Sequence, residues 1–122
     1  MIRRLLNLSM LLKNNLYHIL SANGTEYTIR FNPSHPVFAG HFPGYPVVPG
    51  ACLVQIAQEL VSDRAGRPVH FTELRNLKFK QPITPVMEIR YTIQGNKISI
   101  SSLDSTEYAQ FAATYMCSDS DV

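Results

Sequence analysis

The sequence predicts an α+β domain in which an antiparallel sheet of about six strands wraps around one long helix. Residues 51–64 have the composition of a buried helix, because their first turns are apolar on almost every side. Two segments before this helix and four after it show strand patterns separated by turn residues. We expect a single domain over residues 1–122, since this length suits one hydrophobic core.

The predicted strands follow from alternation of apolar and polar residues and from turn signals. Six segments are assigned as strands: residues 16–22, 26–31, 71–80, 86–94, 97–103 and 107–116. Asn23-Gly24, Gly95-Asn96 and Asp104-Ser105 supply hairpin turns. Such a sheet has exposed edge strands that invite pairing with a second copy, so we expect a homodimer or a higher oligomer.

The connecting and terminal segments are also distinctive. Residues 32–50 contain five prolines, which predicts a stiff loop without a regular element. Gly50 precedes the helix, and Gly66-Arg67-Pro68 ends it. We expect a short N-terminal segment over residues 1–14 and a disordered tail over residues 118–122.

Composition and charge exclude several classes of function. The net charge is only +2 and there is no dense Lys/Arg stripe, so we expect no nucleic-acid partner. No apolar stretch is long enough for a membrane span. Cys52 and Cys117 lie far apart without metal-ligand spacing, which predicts reduced thiols in a cytoplasmic protein and no metal site.

One loop motif carries a specific signal. Three prolines and two glycines stand at set offsets after a histidine in His41-Phe42-Pro43-Gly44-Tyr45-Pro46-Val47-Val48-Pro49-Gly50. This segment resembles the active-site loop HFPGxPxxPG of FabZ- and FabA-type 3-hydroxyacyl-[acyl-carrier-protein] dehydratases, which leads into the central helix of a hot-dog fold. Residues 77–85 resemble that family's strand KF…PVxPG, with Val86 in place of its last glycine. The opening FAGHFPGYPVVPG is also similar to the short dehydratases of aryl-polyene pathways.

The resemblance implies a reaction and a partner. The reaction would be elimination of water from a 3-hydroxyacyl thioester to give a trans-2-enoyl thioester, in fatty-acid or polyketide-type synthesis. The partner would be acyl carrier protein, which bears the acyl chain on phosphopantetheine. No cofactor is needed for this elimination, and no nucleotide-binding loop is visible.

The chemistry assigns roles to particular residues. His41 is the candidate base for the C2 proton, because an imidazole titrates near neutral pH. The backbone N–H of Gly50 or Ala51, at the start of the helix, is the candidate oxyanion donor. The candidate substrate-binding residues are Phe42, Pro43, Gly44, Tyr45, Pro49 and Ala51. Phe38 is interpreted either as part of an acyl tunnel or as plain core.

The sequence departs from the family at the acid. The family places Glu or Asp fourteen residues after the histidine, and here that position is Gln55. An amide can hydrogen-bond the 3-hydroxyl but cannot protonate it. Losing a general acid typically lowers the rate by about 10² to 10⁴.

Glu59 leaves three alternatives open. It lies one helical turn after Gln55, where the family often carries Gln, so the two residues stand in exchanged order. It is either a displaced acid or a surface residue at the wetter end of the helix, and we favour the surface interpretation. In the third alternative, a partner subunit brings its own carboxylate, since relatives combine His from one subunit with the acid from the other.

The remaining charged residues have a functional and a plain interpretation. Arg75, Lys78, Lys80 and Arg90 are candidate docking residues for the acidic carrier protein, or a solvated strand face. His18, His35 and His70 are interpreted as structural or surface residues.

Three functions compete. The leading hypothesis is a dehydratase, on the strength of the complete loop motif. The alternative is a non-catalytic or half-site subunit that binds acyl carrier protein or forms a heterodimer with an active dehydratase, because of Gln55. A hot-dog thioesterase is the weakest option, since such enzymes also need a carboxylate.

Overall fold

The computed structural model describes residues 12–39 and 46–117. Its regular elements are β1 (Tyr17–Asn23), β2 (Glu26–Phe31), α1 (Gly50–Ala65), β3 (Val69–Phe79), β4 (Glu88–Gln94), β5 (Lys97–Ser102) and β6 (Glu107–Cys117). The strands form one sheet in the order β1-β2-β4-β5-β6-β3, and every neighbouring pair is antiparallel. The predicted sheet and central helix are confirmed. Most of the predicted N-terminal segment and the predicted tail lie outside the described residues.

The hairpin β4–β5 shows how alternation builds the core. Ile89, Tyr91 and Ile93 are buried, whereas the residues between them are more exposed. Tyr91 and Ile93 pair with two further buried residues, Ile100 and Ile98. One face of the sheet therefore packs on the helix, as the period of two predicts.

The inner flank of α1 fills the space enclosed by the sheet. Leu53, Ile56, Ala57, Leu60 and Val61 are buried along it. The helix ends at Gly66, whose left-handed backbone (φ 74°) lets its N–H donate to the Ser62 carbonyl at 3.0 Å. No helix in the described parts of the chain is long and apolar enough to cross a membrane.

The sequence predicts that the first turns of α1 are buried on every side. Within a single chain this prediction is wrong. Ala51 is exposed, and Cys52, Val54 and Gln55 are half-buried. The reason is that the sheet covers only one flank of the helix. The opposite flank is left for solvent or for another surface.

Several side-chain bonds hold α1 on the sheet, among them three that reach β3 and β4. The Tyr91 hydroxyl donates to the Leu53 carbonyl at 2.9 Å, and the Arg64 guanidinium donates to the Ile93 carbonyl at 2.7 Å. The Phe71 N–H donates to the Gln58 amide oxygen at 2.8 Å. Because these bonds are spread along α1 and reach both β4 and β3, the helix has a defined position relative to the sheet.

The proline-rich loop contains one short regular element that was not expected. Pro36–Phe38 forms a 3₁₀ turn, and the His35 ring accepts a hydrogen bond from the Val37 N–H at 3.0 Å. Proline suits the first position of such a turn, because its fixed φ is helical and its missing N–H is not needed there. Phe38 is buried in the core, which favours its plain interpretation.

β1 and β3 are the two edges of the sheet. β3 carries two register shifts, and Asn76 at the second has a positive φ of 56°. Leu74, Leu77 and Phe79 on this strand are 37%, 43% and 48% exposed. The β3 edge thus combines apolar side chains with backbone groups that no described strand pairs.

Candidate active site

The first turn of α1 carries the predicted oxyanion donors. Pro49 caps the helix with an extended backbone and no side-chain hydrogen bond. Its carbonyl accepts from the N–H groups of Cys52 and Leu53 at 3.0 and 3.2 Å. The earlier N–H groups, on Gly50 and Ala51, have no acceptor within an α-helix. These two donors are available to a carbonyl at the positive end of the helix dipole.

An apolar depression of about 300 Å³ lies beside this helix start. Val48, Leu53, Phe79 and Ile83 form much of its wall, and Lys80 is among its polar residues. The Val48 N–H donates to the Ile83 carbonyl at 2.7 Å, which ties the segment before α1 to the segment after β3. The depression therefore offers an apolar surface next to two backbone donors, an arrangement suited to an acyl thioester.

Gly50 allows a close contact with Phe79. A Cβ at position 50 would lie 2.8 Å from Cζ of the Phe79 ring, inside van der Waals contact. The ring consequently packs directly on the first residue of α1. Any larger side chain at position 50 displaces the ring or fills the space in front of the helix start.

The loop that carries the candidate base is outside the described residues. This applies to His41 and to Phe42, Pro43, Gly44 and Tyr45. Their catalytic and substrate-binding roles stay predictions. Pro49, Gly50 and Ala51 are described, and they lie together at the start of α1.

Gln55 and Glu59 form a hydrogen-bonded pair on α1. The Gln55 Nε2 donates to Glu59 Oε2 at 2.9 Å. Because an ionised carboxylate only accepts hydrogen bonds, the contact identifies the amide nitrogen as the atom that faces Glu59. The Gln55 carbonyl oxygen accepts no hydrogen bond from a described residue.

Glu59 also holds the chain that precedes β1. Its Oε2 accepts from the Leu12 N–H at 2.7 Å, and its Oε1 accepts from the Lys13 N–H at 2.9 Å and the Tyr17 hydroxyl at 3.0 Å. Glu59 is only 8% exposed, so the favoured interpretation as a surface residue is wrong. The carboxylate is buried because the N-terminal backbone folds over it and supplies donors to both oxygens.

Two neighbouring phenols stay protonated and can act as donors. Burial raises the pKa of Tyr17, and the adjacent Glu59 carboxylate raises it further. Burial is also the first cause of the raised pKa of Tyr91. The Tyr17 proton is therefore retained in its bond to Glu59.

Gln55 does not line the described depression. Successive residues of an α-helix are about 100° apart, so Gln55 is about 140° around the axis from Gly50 and about 160° from Leu53. The amide and the apolar depression thus lie on different flanks of α1 within one chain. A single chain does not bring these two parts of the candidate site together.

Comparison with known families decides the assignment. The profile of the ApeI-like family, described as ApeI dehydratase, matches residues 18–118. The chain belongs to the ApeI-like dehydratase family. The matched range includes α1 and all six strands except Tyr17, the first residue of β1.

Curated relatives of the chain carry the FabZ name. A 3-hydroxyacyl-[acyl-carrier-protein] dehydratase FabZ from Sulfurovum sp. is 28% identical over 113 residues, covering 80% of this chain and 76% of the relative. Another, from Syntrophobacter fumaroxidans, is 35% identical over 60 residues. That match covers 43% of this chain and 41% of the relative, so it spans less than half of either protein.

Solved structures share the fold. The dehydratase heterocomplex ApeI:P from Xenorhabdus doucetiae has a TM-score of 0.62 at 17% identity, covering 83% of this chain and 95% of that chain. The E. coli PaaI protein from the phenylacetic acid degradation operon has a TM-score of 0.56 at 15% identity, covering 84% and 79%. At these identities the likeness establishes the hot-dog fold alone.

The candidate docking residues lie on the outer face of the sheet or just beyond β3. Arg75 and Lys78 pair with Ala112 and Gln110 of β6, on the side opposite the core. Lys80 forms an ion pair with Glu107 at 2.8 Å. Arg90 lies 3.7 Å from Glu26. The family assignment does not test whether these residues bind a carrier protein, and that role stays a prediction.

Two features of the site were not found in the sequence. Phe79 was not recognised as a residue that covers the helix start, although its place in the KF motif was a signal. The donors to Glu59 from Leu12, Lys13 and Tyr17 are far away in sequence, and no local pattern indicates them.

Within the described residues, no group of three or more His, Cys, Asp or Glu could hold a metal ion.

Proposed function

We propose that the chain is a 3-hydroxyacyl-[acyl-carrier-protein] dehydratase subunit that eliminates water from an acyl thioester in fatty-acid or polyketide-type synthesis. The observation that carries this proposal is the start of α1. Two N–H groups, on Gly50 and Ala51, have no acceptor among the described residues and adjoin an apolar depression directly after the histidine loop. Family membership supports the same reaction.

In the proposed reaction the thioester oxygen accepts hydrogen bonds from the start of α1. His41 removes the proton from C2, and the negative charge moves onto the thioester oxygen. The C3–O bond then breaks, the C2–C3 double bond forms, and the hydroxyl leaves as water with a proton returned by His41. Gln55 orients the hydroxyl without supplying a proton.

Glu59 is not the acid in this proposal. Both of its oxygens accept hydrogen bonds, four in all, from two backbone N–H groups, a phenol and an amide. A proton on either oxygen would face one of these donors and break its bond. Glu59 therefore contributes indirectly: it holds the N-terminal chain in place, and it binds the Gln55 amide.

We further propose that the complete site forms between two subunits. Gln55 and the depression lie on different flanks of α1, and the flank that bears Gln55 is only half-covered by its own chain. The exposed apolar edge of β3 offers a surface for a second subunit. An acyl carrier protein would deliver the substrate to this assembly.

The activity test uses 3-hydroxyacyl-acyl carrier protein and follows loss of water by mass. We expect slow turnover by the native chain and none by His41→Ala. Gln55→Glu should raise the rate by up to about 10²-fold to 10⁴-fold, because it restores a carboxyl group. A second carboxylate beside Glu59 also raises the pKa of the new group, as suits an acid. Gln94→Glu, the same change at an exposed site on β4, should not raise the rate.

A half-site role is the second candidate, and the absence of a carboxyl group at position 55 favours it. A solved relative of the same fold is a heterocomplex, ApeI:P, which supports pairing of unlike subunits. If the native chain shows no turnover alone, it should become part of an active complex with a related dehydratase that retains its acid. A chain that never leaves its homodimer when the two are mixed and chromatographed contradicts this role.

A further inference from the structure

We propose that Glu59 is a positioning residue that turns the Gln55 amide, so that the Gln55 carbonyl oxygen accepts a hydrogen bond from the hydroxyl of the acyl substrate. This inference rests on the proposed function and specifies what the site recognises. It makes Gln55 a residue that selects 3-hydroxyacyl chains over 3-oxoacyl and unsubstituted chains.

The first step of the argument is the orientation of the amide. The Gln55 Nε2 donates to Glu59 Oε2 at 2.9 Å, and Glu59 follows one helical turn later. In a planar amide the oxygen and the nitrogen point in different directions from the trigonal carbonyl carbon. An amide whose nitrogen faces Glu59 therefore turns its oxygen away from Glu59.

The second step is that Glu59 cannot easily release this bond. Its carboxylate is 8% exposed and is held by three further donors, from Leu12, Lys13 and Tyr17. A carboxylate fixed at both oxygens defines one position for its fourth partner. The rotation of the Gln55 amide is thereby restricted before any substrate arrives.

The third step concerns what remains for a ligand. The Gln55 carbonyl oxygen has no described donor, and its side chain lies on the half-covered flank of α1. A carbonyl oxygen accepts from a hydroxyl, but it has nothing to offer a ketone or a methylene. The Gln55–Glu59 pair therefore favours a hydroxyl-bearing acyl chain. The exchanged order of the two residues places an oriented amide, in place of a carboxyl group, at position 55.

The test measures binding of pantetheine conjugates in which an amide replaces the thioester, so that the probes do not turn over. The three probes carry a 3-hydroxyacyl, a 3-oxoacyl or an unsubstituted acyl chain of equal length. The full chain should bind the hydroxyl probe about threefold to tenfold more tightly than the unsubstituted one, the range expected for one hydrogen bond. Gln55→Met should abolish this preference, whereas Gln55→Glu, which keeps an acceptor oxygen, should retain it.

The positioning role of Glu59 needs its own variants. Glu59→Met should remove the preference while still binding the unsubstituted probe. Tyr17→Phe deletes one donor to Glu59 but leaves the Gln55 contact, so it should lower stability without changing the preference. If Glu59→Met does not fold, the side-chain amide protons of Gln55 in the native chain serve instead. Their exchange with solvent should be slowed relative to those of the exposed Gln94.

The outcomes separate the two proposals. If acyl probes bind equally with and without the hydroxyl, or if Glu59→Met keeps the preference, the positioning role is overturned and the proposed function stands. Gln55 amide protons that exchange as fast as those of Gln94 also overturn it. If no acyl probe binds the native chain or its complex with a related subunit, the proposed function fails and this inference fails with it.

Discussion

Glu59 is the residue whose placement has the largest consequences. It is the one buried charged residue in the described parts of the chain, and it accepts four hydrogen bonds. Burying an ionised carboxylate is tolerated only when donors compensate the lost water. The N-terminal chain supplies most of these donors, so Glu59 links that chain to the helix of the candidate site.

This arrangement predicts that the same Glu→Gln substitution lowers the free energy of unfolding much more at position 59 than at position 107. Glu59→Gln replaces an acceptor oxygen by a donor and leaves at least one N–H or O–H facing it, so the free energy of unfolding should fall by at least about 2 kcal/mol. Glu107→Gln removes one half of an ion pair with Lys80 and should lower it by less than about 1 kcal/mol. Urea unfolding of both variants gives the comparison. Equal effects would mean that the hydrogen bonds to Glu59 contribute little.

The two cysteines should differ in reactivity. Burial raises the pKa of the Cys52 thiol, which leaves less thiolate near neutral pH, whereas Cys117 is exposed. Iodoacetamide should therefore modify Cys117 first. Modification of Cys52 should accelerate as the pH rises toward its raised pKa, and peptide mass spectrometry at several pH values measures both rates. Prior modification of Cys52 would contradict the burial of this side chain.

Among the elements, α1 begins with a packing contact that also forms part of the candidate site. Gly50 has no side chain, the Phe79 ring packs on it, and the adjoining depression depends on both. Phe79 is 48% exposed, so its ring has room to move outward. The contact therefore shapes the candidate site more than it stabilises the fold.

Gly50→Ala tests this separation of roles. The new methyl group displaces the end of an exposed ring, so the free energy of unfolding should change by less than about 1 kcal/mol, helped by the higher helix propensity of alanine. Activity with 3-hydroxyacyl-acyl carrier protein should fall by at least about tenfold, because the methyl group and the moved ring obstruct the helix start. The double variant Gly50→Ala/Phe79→Ala lacks the ring, so the clash between the new methyl group and Phe79 is absent. Unchanged activity in Gly50→Ala would place the thioester elsewhere.

For the molecule as a whole, the open edge of β3 is the main uncovered surface that the described residues form. It leaves Leu74 and Leu77 partly exposed beside backbone groups that no described strand pairs, and Met116 on the adjacent β6 is also exposed. Soluble proteins usually cover or charge such an edge. The half-covered flank of α1 is a second incomplete surface, and one partner subunit could cover both.

Charge on this edge should dissociate the assembly. Leu77→Lys should convert a dimer or higher oligomer into monomers and abolish activity, as measured by light scattering after size exclusion and by the dehydration assay. Leu103→Lys is a matched control, because Leu103 is 45% exposed against 43% for Leu77 and lies in the β5–β6 turn, away from the edge. An assembly that persists in Leu77→Lys but not in Leu103→Lys would assign the interface elsewhere.

Local sequence was sufficient for the helix and the six strands of this fold. The alternation through Ile89, Tyr91 and Ile93 and the turn at Gly95 predicted β4 and β5 because the strand period and the turn conformation depend on neighbouring residues. The loop motif likewise pointed to the helix start at Gly50, since prolines and glycines act on the backbone where they stand. The 3₁₀ turn at Pro36–Phe38 was missed because proline can start a turn as well as break one.

Tertiary structure decided the role of Glu59 and the division of the candidate site. Its surface interpretation failed because the donors at Leu12, Lys13 and Tyr17 lie more than forty residues away in sequence. Spacing along α1 showed that Gln55 and Glu59 could meet, but not which atom of the amide would face the carboxylate. It also could not show that the sheet covers one flank of α1 and leaves Gln55 on the other. Contacts between distant segments depend on how the whole chain packs, and no local pattern records them.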